Sequence, residues 1–345
     1  MSEVRIVNVQ SCEPGMVIAN DIMNEYGAVI LYKNSKLDEY AINKLKRMDI
    51  EYVKVFREYA IEENKVAVNE ALYNNSLSDF KDIVWNISCG KNIELSRVQE
   101  VVTSLSSNFN SINDVVSSLS KIRAVDEYTF CHGLNVSLLS TLLGKWLNLH
   151  SSQIKLLAQA GLLHDIGKTK ISPAILNKPG LLTPEEYEEM KKHPILGYNI
   201  LEKTQGVSKD IAMAVLMHHE REDGSGYPFG ATSSKIHYNA KIISVVDVFD
   251  AMTSNRVYKK RQPPFDVLEL YESEYLTKCD AGILMTFLKR ISSYYIGNFV
   301  KLSNGDKGEI VYINQNRISR PIIRLKDSDI IDLSYRPDLK VVELL

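Results

Sequence analysis

The 345-residue chain is 45% hydrophobic and 24% charged, with a formal charge of -2. That is ordinary globular usage, enough for two or three domains around a real core. The near-neutral balance excludes broad, nonspecific binding to a nucleic-acid polymer but leaves room for a small anion held by local cations.

Four scattered cysteines, Cys12, Cys89, Cys131 and Cys279, form no CxxC pair and read as reduced thiols of a cytoplasmic protein. The best apolar run, Val136 to Leu149, is interrupted by Lys145 and falls short of a membrane span. The N-terminus lacks the basic-then-apolar pattern of a signal peptide.

In chain order, residues 1–60 read as a small α/β module. Gly15 and Gly27 punctuate short apolar runs such as Ala28 to Leu31. Leu37 to Met48 has helical spacing, and Tyr52 to Val55 reads as a closing strand. The module contains no histidine and no phosphate-cradling glycine motif.

Residues 61–121 change to a helical pattern, with apolar positions at Phe80, Ile83 and Ile87, then Val98, Val101, Val102 and Leu105. This predicts a connecting helix or helix pair. Its apolar stripe suits a homodimer seam and internal packing equally well.

Residues 122–291 read as helix after helix. Thr183-Pro184-Glu185-Glu186 predicts a capping box with proline in the first turn. That helix is expected to run through Lys192, and Pro194 is expected to force His193 out of helical geometry at a junction. Residues 292–345 switch to strands, at Phe299 to Leu302, Gly308 to Tyr312, Pro321 to Leu325 and Ile330 to Leu333. Asn304-Gly305 is a tight-turn signal between the first two. The fold class predicted is mainly α, with the α/β module in front and a small β-rich cap behind.

Chemistry concentrates in the helical part. Gln159 to Lys168 reads as the end of a buried helix closed by Gly167, with His164 and Asp165 on its last turn. Alone, that pair could be a satisfied core histidine beside a solvated aspartate. His218 and His219 end another apolar helix, Ile211 to Met217, where tandem histidines are poor core material. Asp247 follows the apolar run Ile242 to Val246, and a carboxylate there is costly unless paired or metal-bound. Asp250 shares its face one turn later.

Five of the seven histidines fall in four motif segments, His132, His164, His193, and His218 with His219; His150 and His237 read as ordinary surface residues. Imidazole and carboxylate donors without thiolate suit iron or manganese, with zinc or nickel as alternatives. Six candidate ligands, His164, Asp165, His193, His218, His219 and Asp247, are too many for one open zinc site. They suit two divalent ions bridged by Asp165, an arrangement that serves phosphoryl transfer. Lys168 and Arg256 are the nearby cations that best fit an anionic substrate. Lys260 and Arg261 read better as a basic helix C-terminus.

His164-Asp165 together with His218-His219-Glu220 and Gly226-Tyr227-Pro228 resembles the HD-GYP subgroup of HD-domain phosphohydrolases. Supporting matches include Asp126 to Thr129, His132, Leu176 to Gly180, His193-Pro194, Thr253-Ser254 and Arg256. The resemblance covers roughly Val98 to Ile291 and implies an HD-type helical bundle. It implies a phosphodiesterase that opens cyclic di-GMP to pGpG, and in some members GMP, by attack of a metal-bridging hydroxide on phosphorus.

Carried over, the six ligands match metal positions, and Lys168 matches a residue that touches the scissile phosphate or helps protonate the leaving oxygen. Arg256 and Lys259 match phosphate contacts. Gly226 and Tyr227 match the loop beside the nucleoside pocket, where a missing side chain permits close approach. Asp223, Asp250 and His132 join the candidate substrate contacts.

Members with a third metal carry glutamate where this chain has Tyr128, so two metals are expected. The resemblance also admits a GGDEF diguanylate cyclase partner. Competing readings are a non-catalytic nucleotide receptor or scaffold, and an enzyme acting on cyclic GMP-AMP or a mononucleotide. The filled ligand positions favour catalysis, and the intact Gly-Tyr-Pro segment favours cyclic dinucleotides.

Overall fold

The computed structural model describes residues 4–23, 29–48, 50–56, 61–109, 115–116, 128–254, 262–325 and 329–345. They divide into two units, residues 1–70 and 71–345. The first packs around Val9, Ile18, Leu37, Leu45, Val53 and Val55. Strand β1 (Val4–Asn8) opens the unit, and further strands and a helix follow it. These are β2 (Ile22–Met23), β3 (Val29–Leu31) and helix α1 (Glu39–Arg47), and β4 is Tyr52–Phe56. β1 pairs antiparallel with β4, and β2 with β3. Asp38 starts α1 by accepting a hydrogen bond from the Ala41 N–H at 2.6 Å. The α/β character expected of this module is therefore present.

The second unit begins within α2 (Ile61–Ser88), followed by α3 (Leu95–Asn108). The predicted helical stretch is thus a pair, broken near Gly90, whose φ of +82° suits glycine. Tyr73, Leu77, Phe80 and Ile83 of α2 and Val98, Val101 and Leu105 of α3 are buried. They share one apolar cluster with Leu134 and Leu138 of α4 (Tyr128–Trp146) and with Leu157 and Leu162 of α5 (Ser151–Leu163). The apolar stripe is used inside the chain, so it is not a free dimer seam.

Short helices α6 (Pro173–Leu176) and α7 (Pro184–Met190) lead to α8 (His193–Glu202) and α9 (Lys209–Met217). The Thr183 capping box forms as predicted. Thr183 N–H donates to Glu186 Oε2 at 2.7 Å, and Glu186 N–H donates to Thr183 Oγ1 at 3.3 Å. The expectation for His193 is corrected: it is the first residue of α8 instead of lying outside helical geometry. Proline is tolerated in a first turn because those N–H groups have no intrahelical acceptor.

Helix α10 (Tyr238–Thr253) crosses the core, and α11 (Pro264–Leu270) continues into a π turn at Tyr271–Tyr275 before α12 (Ala281–Ser293). Five antiparallel strands follow: β5 (Phe299–Leu302), β6 (Lys307–Tyr312), β7 (Ile322–Leu325), β8 (Ile330–Asp332) and β9 (Val341–Leu344). Their order is β8-β7-β6-β5-β9. The Asn304-Gly305 turn lies where predicted, while β9, absent from the sequence reading, returns beside β5. Val300, Leu302, Ile310, Ile323 and Val341 belong to the same cluster as Phe265, Leu268 and Phe287. The connector, the helices and the strands of this unit therefore share one core. Among the described residues, no helix is long and apolar enough to cross a membrane.

Candidate metal centre

Three of the candidate histidines sit where a helix runs out of partners for its carbonyls. The last four C=O groups of a helix have no intrahelical donor. Gly161 on α5, Met190 on α7 and Val215 on α9 are such positions. His164 Nδ1 lies 2.8 Å from the Gly161 oxygen, His193 Nδ1 2.8 Å from the Met190 oxygen, and His218 Nδ1 2.7 Å from the Val215 oxygen. A carbonyl can only accept, so each Nδ1 carries the proton and donates it. In His193 and His218, whose rings burial keeps neutral, Nε2 is left as a bare lone pair, and all three Nε2 atoms lie close to Asp165. This is the backbone-oriented imidazole that metal sites use.

The Nε2 atoms meet in pairs. His193 and His218 approach to 3.4 Å, and His164 and His132 to 3.2 Å. In the first pair neither nitrogen has a proton to share, so two lone pairs face each other in a buried space. Asp165 lies between the pairs. Its Oδ1 is 3.3 Å from His193 Nε2 and 4.0 Å from His218 Nε2. Its Oδ2 is 3.4 Å from His164 Nε2 and 3.8 Å from His132 Nε2.

Two donor sets result, one of Asp165, His193, His218 and His219 and one of His132, His164 and Asp165, each with its donor atoms within 4.8 Å of one another. Asp165 is common to both. Its Oδ1 is buried with no hydrogen-bond partner, an orphan that a cation would satisfy. The chain's residues therefore fit two divalent ions. Asp247 faces both sets: Oδ1 is 3.0 Å from His132 Nε2 and 3.9 Å from His164 Nε2, and Oδ2 is 3.8 Å from His219 Nδ1.

The electrostatics agree with that donor role. Burial holds His193 down to about 4 and His218 to about 3, and it keeps His219 well below the usual imidazole range. These rings are neutral near pH 7, as ligands must be. Burial opposes the charge of Asp165, but Lys168 and His164 outweigh it and hold the carboxyl well below its ordinary range. Burial likewise opposes Asp247, whose hydrogen bond with His132 wins and holds it low. His132 moves the other way: burial disfavours its charge, but hydrogen bonds to Asp247 and Asp250 push it up to about 9.

Several expected substrate contacts have other places. His132 is buried, with Nδ1 2.7 Å from Asp250 Oδ2, and it faces the donor set with Nε2. Asp250 is enclosed: Asn135 Nδ2 donates to its Oδ1 at 2.8 Å and Ser254 Oγ at 3.1 Å, so its carboxylate is engaged within the protein and orients His132. Asp223 closes a turn by accepting from the Ser225 N–H at 2.9 Å and the Ser225 hydroxyl at 2.6 Å.

Gly226 is required by the chain itself. A Cβ there would lie 2.5 Å from Glu220 Cα, His219 O and Arg221 N, so the close approach is of backbone to backbone. Gly167 is corrected in the same way: it lies inside a 3-10 turn, Ile166–Lys170, and a Cβ would fall 1.9 Å from the His193 oxygen.

Tyr227 does line the site. Its ring covers His219 at 4.6 Å between centroids with 30° between planes. Lys168 Nζ reaches Asp165 Oδ2 at 2.5 Å. Arg256, Lys259, Lys260 and Arg261 lie outside the described residues, as does the side chain of Tyr128.

Sequence reading left Glu220 without a role. It is buried, and its two oxygens accept from the N–H groups of Phe229 and Ala231, both at 2.8 Å, which pins the Gly-Tyr-Pro loop. An acid directly after two candidate ligands was the available signal. His150 and His237 also do more than cover surface: each caps a helix, α5 and α10, through its own ring nitrogen.

An HD-domain family model matches residues 110–282, half of the chain. The chain belongs to the HD-domain family. Its His164-Asp165 pair and Gly226-Tyr227-Pro228 loop fit the HD-GYP group within that family. Among curated relatives, this HD-domain chain is 32% identical over 236 residues to "Cyclic di-GMP phosphodiesterase PA4108" of Pseudomonas aeruginosa. That match covers 68% of this chain and 57% of the relative. It is 34% identical over 179 residues to "3'3'-cGAMP-specific phosphodiesterase 3" of Vibrio cholerae, covering 52% of this chain and 39% of the relative. The matched HD region thus spans little more than half, or less, of these relatives' own length. Among solved structures, an HDG"Y"P protein from Bdellovibrio bacteriovorus, Bd1817, superposes with a TM-score of 0.53. It covers 83% of this chain and 98% of its own at 15% identity, a likeness of fold alone.

Proposed function

We propose that the chain is a metal-dependent phosphodiesterase that hydrolyses cyclic di-GMP to pGpG. The observation that supports it most is the position of Asp165, with one oxygen toward the His193–His218 pair and the other toward the His164–His132 pair. Two ions held there, iron or manganese by donor hardness, would supply an activated water and neutralise phosphate charge. The residues of the chain do the rest. Asp165 and Asp247 stay ionised, and His193, His218 and His219 stay neutral. Lys168 places its ammonium at the edge of the site, next to Asp165, where it can offset charge on the phosphate and give a proton to the departing oxygen. Tyr227, stacked on His219, forms the wall against which the nucleoside rests. Glu220 keeps that wall in place.

The resemblance to a cyclic GMP-AMP enzyme supports a second substrate reading, since both cyclic dinucleotides offer the same phosphodiester to the same site. A homodimer, if formed, would use surface other than the stripe of α2 and α3, and a GGDEF protein remains the partner class to test by co-purification. The deciding assay is anaerobic turnover by Mn(II)- or Fe(II)-loaded protein, with cyclic di-GMP and cyclic GMP-AMP in competition. The expected result is pGpG as the main product, with Asp165→Ala abolishing turnover. Tight nucleotide binding with no hydrolysis under either metal would replace the enzyme reading with a receptor.

A further inference from the structure

The segment that begins at His219 runs antiparallel to α10, and three side-chain pairs join the two in register. His219 Nδ1 lies 3.8 Å from Asp247 Oδ2. Arg221 donates a hydrogen bond to Ser244 Oγ. Lys241 Nζ lies 2.9 Å from Glu222 Oε1. Lys241, Ser244 and Asp247 are three residues apart, so they form one row on the helix. Their partners, taken in the opposite direction, are Glu222, Arg221 and His219.

The Arg221 guanidinium is also held from the far side, 5.8 Å over the Tyr275 ring. The Glu222 N–H donates to the Lys278 oxygen at 3.0 Å. Ser244 is buried, and the side chains of Lys241 and Glu222 are 13% and 16% exposed. Such pairs feel less screening than surface ion pairs do.

We infer that Arg221 and Glu222 are positioning residues that fix His219 against Asp247. Helix α9 ends at Met217, and after the single turn closed by the Glu220 N–H on the Met217 oxygen at 2.9 Å the chain leaves helical geometry, so side-chain pairs hold its direction from there. Glu220 anchors the far end of the loop, and the Arg221–Ser244 and Glu222–Lys241 pairs anchor the near end. Only the functional consequence of this assignment rests on the metal-centre reading; the pairing itself does not.

The test uses the full chain as wild type, Arg221→Met, Ser244→Ala and Arg221→Lys. In chelator-treated protein, hydrogen exchange of residues 217–227 is expected to rise about tenfold in Arg221→Met and in Ser244→Ala, the size of one charge-assisted hydrogen bond. The α4–α5 hairpin should keep its protection. Titration with Mn2+ alone should show affinity weakened about tenfold in the same two variants, and Arg221→Lys, which keeps a donor and a charge, should recover most of both. Unchanged protection of residues 217–227 in both variants would overturn the inference, as would an equal rise in α4 and α5. A wild type that protects this segment yet takes up no Mn2+ would overturn the metal-centre reading and leave the positioning role supported.

Discussion

Asp165 acts between two imidazole pairs because each of three rings is turned inward by a helix end. The same burial that keeps His193 and His218 neutral makes them a liability in acid. His193 and His218 are held near 4 and 3 in the fold, below the ordinary 6.5, so the unfolded chain binds more protons between those values. Their contribution to stability is complete above about pH 6.5 and falls as pH drops toward 4. His132 is raised to about 9, so its contribution is complete below about 6.5 and is lost as pH rises through 9. Thermal unfolding of chelator-treated protein across pH 5 to 9.5 should therefore show a maximum Tm near neutrality with losses on both sides.

At this scale the candidate donors were legible, because five histidines stood in motif segments and two aspartates stood at a helix end and after an apolar run. It did not reveal which way His132 or Asp250 pointed. That depends on Asn135 and Ser254, which look unremarkable in the chain.

Elements meet at the site through backbone contact. The 3-10 turn after α5 presses on the first residue of α8, and Gly167 is the point of contact. Gly167→Ala must push the two apart, and overpacking of this kind costs about 1–3 kcal/mol. Urea unfolding should show a loss of about that size, and Mn2+ affinity should fall with it because His193 is displaced. A substitution with no effect on either would separate the turn from the site.

The capping box at Thr183 and the strand turn at Asn304-Gly305 were legible because each is a local hydrogen-bond or φ requirement. The role of Gly167 was not legible, since the residue it touches is 26 positions away in sequence. Strand β9 was missed for a related reason: a four-residue strand is justified only by β5 beside it.

For the whole molecule, the shared core of residues 71–345 decides what can be removed. Val300, Leu302 and Val341 pack in the same cluster as Phe265, Leu268 and Phe287, and Glu272 accepts from the Ile318 N–H at 2.6 Å and the Ser319 N–H at 3.2 Å. Truncation after residue 295 should strip the core of this face and give an insoluble or molten product by circular dichroism and gel filtration. A fragment of residues 61–345 should unfold cooperatively. The division drawn from composition into connector, catalytic helices and β cap could not anticipate this. An apolar stripe on α2 reads the same whether it faces a second copy or its own neighbours.

The central claim is that one carboxylate, Asp165, organises two metal ions. Crystals of the full chain grown anaerobically with Mn2+, measured on either side of the manganese absorption edge, test it directly. Two anomalous peaks about 3.5–4 Å apart are predicted, one beside His193 and His218 and one beside His164 and His132, with a different oxygen of Asp165 on each. A single peak, or two peaks that do not share Asp165, would contradict the account.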